Sequence, residues 1–360
     1  IPIIGLYLFF FLLFIIMEEF KNSQKYVNQI LQKEIVDLSK TNQPLKEMLE
    51  YSLQGGKRIR PVISLVIAES IFKRDMVKEL TDIIDIEKET NYLINIIVFL
   101  EFMHSASLIL DDLPCMDNDD FRRGNPTFHK KYGVKKAYLL SNFMIGKSCS
   151  KIVKLINQNE RFNKSLKTFL IKEIFDNNLL TSLGQIKDLD PTDDRDSIFI
   201  NKVTKKILGN KFTQNLVEKF DLTNIKIRQL IWLNMKTFPL FYLSFLLPNL
   251  LFLKIDDLND TLVKEKLDLV LHISFCFSIM FQICDDLEDW DKDSQVDKVN
   301  SHLKIINENT IKSVYLECKK EYLNVIEILE INKSNKTVLN CFVEILDKKI
   351  EIYDNGKNKK

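Results

Sequence analysis

The chain has 360 residues, of which 46% are hydrophobic, and 51 basic and 50 acidic residues give it a formal net charge of +1. This length is sufficient for one large domain or two small ones, and the balanced charge argues against a nucleic-acid-binding protein, which would show a basic excess or stripe. Gly and Pro number only 9 and 8, against roughly 25 and 18 at average usage, so long helices are favoured over a sheet with many turns.

The first 17 residues are uncharged and rich in Phe, Leu and Ile. As a helix they would span roughly 25 Å, slightly short of the ~20 residues that cross a bilayer. One interpretation is a signal or anchor that directs the protein to the secretory route and, through it, to a plastid-like organelle, with membrane contact only if it is retained. The other is that Met17 is the start of a cytoplasmic protein.

Residues 18–352 are predicted to form one all-α domain, followed by a polar tail at 353–360. Apolar residues recur at helical spacing along most of this stretch. Two of the expected helices are apolar on all sides, which indicates burial at the centre of a large domain or in a membrane. The expected helices are Glu18–Leu53, Arg60–Phe72, Asn91–Leu110 and Leu269–Cys284, and coils are expected at Asp190–Asp196, Asp256–Asp260 and Trp290–Val299.

The cysteines include no CxxC pair, and most lie in apolar or helical stretches. We therefore predict reduced, mostly buried thiols rather than a disulfide framework or a zinc site. The six are Cys115, Cys149, Cys276, Cys284, Cys318 and Cys341.

An acidic cluster follows each of the two apolar helices. The first runs from Asp111 to Asp117, and the second is Asp285-Asp286-Leu287-Glu288-Asp289. Asp285 and Asp289 are one helical turn apart and share a face, where their charges repel unless a cation lies between them. Oxygen ligands select magnesium or calcium, and magnesium usually takes one or two carboxylates with water and phosphate oxygens. One such run alone would most simply be solvated surface, but two runs after two buried helices predict a metal site.

Basic residues near these clusters are suited to phosphate. Gly55-Gly56-Lys57-Arg58 precedes a helix, and glycines with adjacent cations at a helix N-terminus favour anion binding. Lys236 is the only charge between Arg228 and Lys254. A buried, unpaired ammonium is costly, so Lys236 is predicted to bind phosphate in a central cavity unless it extends to the surface. His104 lies two turns before Asp111, and taken alone would be a core histidine.

Five motifs occur in an order that resembles the all-trans isoprenyl diphosphate synthases, a family that includes farnesyl, geranylgeranyl and longer polyprenyl diphosphate synthases. The resemblance extends from about Asn28 to at least Asp293. It implies an all-α bundle of long helices around a deep central cavity, usually dimeric. The motifs are GGKRIRP, the first aspartate-rich motif with RRGNPTFH, Gly184-Gln185-x-x-Asp188, Met235-Lys236-Thr237, and Phe281-Gln282-x-x-Asp285-Asp286-x-x-Asp289.

The resemblance also implies roles for individual residues. About three magnesium ions would be held by Asp111, Asp112, Asp117, Asp285, Asp286 and Asp289, of which Asp111, Asp112 and Asp285, with Lys236, are the expected catalytic residues. The allylic diphosphate would be bound by Arg122, Lys236, Thr237 and Gln282, and the diphosphate of isopentenyl diphosphate by Lys57, Arg60, His104 and Arg123.

The implied reaction is head-to-tail prenyl transfer. The allylic diphosphate (dimethylallyl, geranyl or farnesyl) departs under the influence of magnesium and cations. The double bond of isopentenyl diphosphate attacks the resulting carbocation, and a proton is lost to the released diphosphate. This chemistry needs no Ser/His/Asp or Cys/His constellation, and the sequence suggests none.

Two positions depart from the family pattern. Ser141-Asn142 occupies a position where many relatives have Gly-Asp, and Asp297-Lys298 is the nearest match to the Gly-Lys that usually follows the second motif. Lys298 is therefore a weaker candidate ligand. A catalytically weak partner subunit stays open as an alternative, although both aspartate motifs are complete. So does a terpene cyclase or squalene/phytoene-type synthase, which generally lacks GGKRxRP.

Side chains before the first aspartate motif bear on product length. In the family the product grows alongside this helix, and Ala106 and Ser107 are too small to form an aromatic floor. Met103 is flexible and would block poorly. The longer motif around Pro114 instead accompanies farnesyl and geranylgeranyl products in relatives. Because steric exclusion acts directly on the growing tail, we predict geranylgeranyl diphosphate or a longer product.

Overall fold

A computed structural model describes residues 2–72, 88–189, 225–252, 260–293, 308–329 and 333–357, with the separate positions 210, 213, 216, 219 and 331. The predicted all-α fold class is confirmed, since a two-stranded hairpin is the only sheet within these residues. The helices are α1 Pro2–Leu38, α2 Gln43–Leu53, α3 Ile59–Phe72, α4 Lys88–Asp111, α5 Phe128–Tyr132, α6 Val134–Gln158, α7 Lys164–Leu189, α8 Ile225–Phe252, α9 Thr261–Asp293, α10 Glu308–Ile328 and α11 Lys333–Lys357.

The single helix predicted for Glu18–Leu53 is wrong, because the chain forms two helices there. α1 ends at Leu38, and α2 begins at Gln43 after a short turn. The side chain of Asn42 accepts a hydrogen bond from the backbone N–H of Leu45 at 3.1 Å. Asn is a favoured N-cap, and Pro44 fits the first turn of a helix because its missing N–H would have no partner there.

Two of the described helices, α4 and α9, have a segment long and apolar enough to cross a membrane, Asn91–Asp111 and Thr261–Leu287. However, 72% and 83% of the most apolar 18-residue stretch of each is buried inside the protein. α4 packs on α3 and α6, and α9 packs on α10 and α11. Five of the six cysteines are also buried, and Cys115 is exposed.

α9 continues further than the sequence suggested. It begins after Asp260, whose side chain accepts a hydrogen bond from the backbone N–H of Leu262 at 2.7 Å. It extends through the second aspartate motif to Asp293. The coil predicted from Trp290 is therefore wrong for residues 290–293, while 294–299 lie outside the described residues, as do the coils predicted at 190–196 and 256–259.

The hairpin follows the first aspartate motif. β1 (Phe121–Arg122) pairs antiparallel with β2 (Asn125–Pro126). The two residues of the turn, Arg123 and Gly124, have φ values of 55° and 78°, as the tightest hairpin turns require. The hairpin therefore carries two consecutive arginines, Arg122 at the end of β1 and Arg123 in the turn.

The chain divides into two compact units. We call Ile1–Ile174 with Leu247–Asp256 the N-terminal unit, and Phe175–Leu246 with Asp257–Lys360 the C-terminal unit. Each unit contains one of the aspartate motifs, so the two motifs are described separately below.

Candidate active-site clusters

The first aspartate motif begins at the last residue of α4. Asp111 and Asp117 are half-buried, and the backbone N–H of Asp117 donates to the carbonyl of Asp111 at 2.9 Å. Asp112 is buried, and its Oδ1 accepts hydrogen bonds from Nε and Nη2 of Arg122 at 2.7 and 2.5 Å. Burial raises the pKa of the Asp112 carboxyl, and Arg122 opposes that rise. The motif therefore holds three carboxylates, one of them fixed by an arginine from the hairpin.

A cationic cluster, made of four arginines from outside α4, surrounds His104 on the same helix. Burial lowers the pKa of His104 well below its ordinary value, and the charges of nearby arginines lower it further, so the imidazole is neutral near pH 7. His104 is seven residues before Asp111, or about 10 Å along the helix axis. The arginines are Arg60, Arg123, Arg122 and Arg58, in decreasing order of effect.

Three residues predicted to bind isopentenyl diphosphate thus come together: Arg60, His104 and Arg123. Lys57, the fourth, is exposed on the loop that precedes α3. The guanidinium of Arg123 lies against Gly56 so closely that a Cβ there would be 2.8 Å from Nη1. Gly56 has a φ of 96°, a conformation that favours glycine, and a Cβ there would displace the Arg123 guanidinium.

Lys236, in the C-terminal unit, has a partner that the sequence analysis did not assign. Lys236 forms an ion pair with Asp188 of α7, and its role as a phosphate ligand stays a prediction. The backbones of α7 and α8 touch beside this pair. A Cβ on Gly184 would be 2.2 Å from the backbone N of Lys236, so only glycine allows this approach.

A hydrogen-bonded chain connects α8 to the second aspartate motif on α9. Thr237 donates its hydroxyl to Oε1 of Gln282 at 2.6 Å, and Nε2 of Gln282 donates to Oδ1 of Asp286 at 2.7 Å. Oδ2 of Asp286 is buried and has no hydrogen-bond partner among the described residues. Burial raises the pKa of Asp286 to about 7, with Gln282 and Lys236 opposing the rise and Asp285 and Asp188 adding to it.

The residues of the second motif fit a magnesium ion by their chemistry. Asp285 is exposed, and the buried Oδ2 of Asp286 is an acceptor that a cation would satisfy. No three His, Cys, Asp or Glu side chains among the described residues are close enough to form a metal site by themselves. Magnesium typically binds one or two carboxylates and completes its shell with water and phosphate.

Two other predicted ligands are only partly covered by the structure. Asp289 lies on α9, one turn beyond Asp285, and its side chain is outside the described part of the chain. Lys298 lies outside the described residues altogether.

The residues predicted to limit product length lie on α4, in the two turns before Asp111. Met103 and Ala106 are buried. Ser107 is half-buried, and its hydroxyl donates to the carbonyl of His104 at 2.8 Å. No aromatic side chain occupies these three positions.

Two ion-pair partners were missed by the sequence analysis. Asp188 was noted as part of a motif, but it received no role. Glu101 lies in a helix predicted to be apolar on all sides, yet its carboxylate binds the buried guanidinium of Arg58. Charges inside otherwise apolar helices were the available signal, because a buried charge needs a partner.

Comparison with known proteins gives one family. A family model described as polyprenyl synthetase matches residues 42–304. Together with the all-α fold, this match shows that the chain belongs to the polyprenyl synthetase family, which comprises the all-trans isoprenyl diphosphate synthases.

Individual relatives agree with that assignment. The chain is 31% identical over 159 residues to a farnesyl diphosphate synthase of Geobacillus stearothermophilus, covering 44% of this chain and 48% of that one. It is 36% identical over 129 residues to the mitochondrial geranylgeranyl pyrophosphate synthase 6 of Arabidopsis thaliana, covering 34% of each. These matches therefore span about half the relatives' length or less.

The fold is also that of a solved structure. A geranyltransferase from Helicobacter pylori, complexed with magnesium and isoprenyl diphosphate, superposes with a TM-score of 0.59 at 22% identity. The match covers 91% of this chain and 98% of that one.

Proposed function

We propose that the chain is a magnesium-dependent trans-prenyltransferase that condenses isopentenyl diphosphate with an allylic diphosphate. The observation that carries the proposal is the arrangement along α4. His104, within range of four arginines, and the carboxylates that begin at Asp111 lie about 10 Å apart on one helix. An anion site and a metal site at that spacing are suited to two diphosphate substrates.

The cationic cluster binds the diphosphate of isopentenyl diphosphate. Arg60 and Arg123 supply charge-assisted hydrogen bonds, which are stronger than neutral ones, and Lys57 adds an ammonium from the exposed loop. His104 is neutral before the substrate binds and donates one ring N–H to the bound diphosphate. These groups hold the attacking double bond in a fixed orientation and so lower the entropic part of the barrier.

The two aspartate motifs would hold about three magnesium ions, which would stabilise the negative charge on the departing diphosphate of the allylic substrate. Asp111, Asp112, Asp117, Asp285, Asp286 and Asp289 are the proposed ligands. Arg122 keeps Asp112 ionised and oriented. Lys236 exchanges Asp188 for a phosphate oxygen, and Gln282, held by Thr237, orients Asp286.

A single assay tests the function. The purified chain alone, with magnesium, is incubated with isopentenyl diphosphate and dimethylallyl, geranyl or farnesyl diphosphate in turn. Formation of a longer diphosphate supports the proposal. Transfer that appears only after an active synthase is added would identify a partner subunit, and release of diphosphate from the allylic substrate without consumption of isopentenyl diphosphate would indicate a cyclase.

We further propose that the product is geranylgeranyl diphosphate or longer. The buried, small side chain of Ala106 and the flexible Met103 support it, because neither forms a rigid floor. Chromatography of the dephosphorylated products measures the length, and a wild-type enzyme that stops at farnesyl diphosphate would contradict the proposal.

We also propose that two copies of the chain form a homodimer through α6. Tyr138, Leu139 and Phe143 are exposed apolar residues on this helix, together with the exposed Asn142 and Gly146. Their spacing of three and four residues places them on one face. Monomers rarely expose contiguous apolar patches without a partner.

The oligomeric state tests this face. Leu139→Glu should shift the protein towards a monomer in light scattering, because a buried charge at an apolar interface is unfavourable. Leu316→Glu is the matched control, since Leu316 is also exposed but lies on α10. A Leu139→Glu protein with the same mass as the wild type would exclude this face.

A further inference from the structure

The loop between α2 and α3 has an unusual backbone conformation; it carries the proposed diphosphate ligand Lys57 and leads directly to a second, Arg60, in the first turn of α3. Gly55, Gly56 and Arg58 have φ values of 72°, 96° and 54°. Glycine adopts this left-handed region readily, but an arginine does so only when its surroundings hold it there. The conformation of Arg58 therefore indicates that contacts outside the loop determine the loop's shape.

Those contacts are made by the Arg58 guanidinium. Its Nε donates to Oδ1 of Asn28 on α1 at 2.9 Å. Nη1 donates to the carboxylate of Glu101 on α4, and Nη2 donates to the carbonyl of Leu53 at the end of α2. A neighbouring α1 side chain, Gln24, also donates to the carbonyl of Gly56 at 2.9 Å. One side chain thus joins three helices to the loop.

Arg58 is placed to hold the loop rather than to bind a substrate. The side chains of Arg58 and Glu101 are only 4% and 2% exposed. All three guanidinium nitrogens donate hydrogen bonds to acceptors within the protein, so the buried group is not available to a ligand. A buried ion pair usually stabilises a fold no better than apolar packing of similar volume. We therefore attribute the role of this pair to the position in which it holds the loop.

The pair also connects the two segments that carry the cationic cluster. Glu101 is three residues before His104, on the same face of α4. Arg58 lies between Lys57 and Arg60, and its carbonyl accepts the first hydrogen bond of α3 from the backbone N–H of Val62 at 3.0 Å. The position of Arg58 relative to Glu101 therefore fixes that of Lys57 and Arg60 relative to His104.

We propose that Arg58 and Glu101 are positioning residues that align Lys57 and Arg60 with His104 and so set the affinity for isopentenyl diphosphate without touching it. The proposal rests on the prenyl transfer proposed above. It predicts that weakening the pair raises the KM for one substrate selectively, whereas a pair that only stabilised the fold would lower the apparent kcat through the amount of folded enzyme and leave both KM values unchanged.

The first test uses Arg58→Lys, which keeps the positive charge but loses the planar guanidinium and the fixed geometry of its hydrogen-bond donors. The KM for isopentenyl diphosphate should rise about tenfold or more, because small displacements of binding groups are costly. The KM for the allylic substrate and kcat should stay within about twofold of the wild type. Glu34→Gln is the matched control, since it breaks the ion pair of Glu34 with Lys151 in the same unit, and it should leave both KM values unchanged.

A second variant removes the risk that a lone buried charge prevents folding. Arg58→Met combined with Glu101→Leu deletes both charges together, and thermal unfolding establishes that the protein is folded. Calorimetric binding of isopentenyl diphosphate without magnesium then measures the subsite independently of turnover, and weaker binding by about tenfold or more supports the proposal.

Two results would overturn the assignment of Arg58 and Glu101. One is a folded double variant that binds isopentenyl diphosphate as tightly as the wild type. The other is an Arg58→Lys enzyme in which both KM values are unchanged or rise equally. Absence of transfer in the wild type would instead refute the proposed function, so the two failures are distinguishable.

Discussion

In the N-terminal unit, four arginines lie within electrostatic range of His104, and the ion pairs described for two of them are with Glu101 and Asp112. In the C-terminal unit, Lys236 is bound to Asp188, next to a motif with three further aspartates. The first cluster is strongly cationic before a ligand arrives, and the second balances its own cation with carboxylates. This difference supports the proposed function, in which the first cluster binds a free diphosphate and the second binds a diphosphate that arrives with magnesium.

The largest expected effect comes from removing a metal ligand from either unit. Asp111→Ala or Asp285→Ala should lower kcat by two or more orders of magnitude, because each variant loses charge stabilisation that is needed at the transition state. Turnover at saturating substrates and magnesium measures the effect. Asp37→Ala is the control, since Asp37 is an exposed aspartate paired with Lys40 on the surface, and near-normal rates in Asp111→Ala or Asp285→Ala would refute the metal assignment.

The second test separates the two substrates. Lys236→Ala should raise the KM for the allylic diphosphate by about tenfold or more, whereas Arg60→Ala or His104→Ala should do so for isopentenyl diphosphate, because each removes a hydrogen bond to a charged group. Steady-state kinetics with one substrate varied at a time gives both values. Equal changes in both KM values for every variant would mean that the clusters do not divide the substrates as proposed.

A third variant changes the product rather than the rate. Ala106→Phe should shorten the product, because the ring enters the proposed path of the growing tail. Ala106 is fully buried, so overpacking is also expected to destabilise the fold by about 1–3 kcal/mol. Thermal unfolding is therefore measured beside product chromatography, and a folded variant with an unchanged chain length would contradict this account of the pocket.

The smallest effect concerns pH. The pKa of His104 is lower in the folded protein than its ordinary value of 6.5, so the unfolded state binds more protons as the pH falls through that value. The free energy of unfolding should therefore fall on acidification, by linkage. Urea unfolding at several pH values should show a shallower loss for His104→Asn than for the wild type, and identical slopes would argue against a neutral, buried His104.

The sequence was sufficient for the fold class and for the residue types of both clusters. Repeated apolar spacing predicts α4 and α9. The same spacing continues across the boundary between α1 and α2, so it predicted one helix where the N-cap Asn42 and the proline after it begin a second one. The partners of Lys236 and Arg58 could not be predicted, because Asp188 and Glu101 are 48 and 43 residues away along the chain. Such pairings depend on how helices pack, which spacing within one helix does not reveal.

The glycine at position 184 has a consequence for how this protein tolerates change. It contributes no charge, ligand or hydrogen-bonding side chain, yet a methyl group there would overlap the main chain of Lys236. A saturation library selected for function should therefore be depleted at Gly184 as severely as at the aspartates. The neighbouring position Ile186, which is exposed on the same helix, should accept many replacements. A position without any reactive group would then rank among the least variable in the chain.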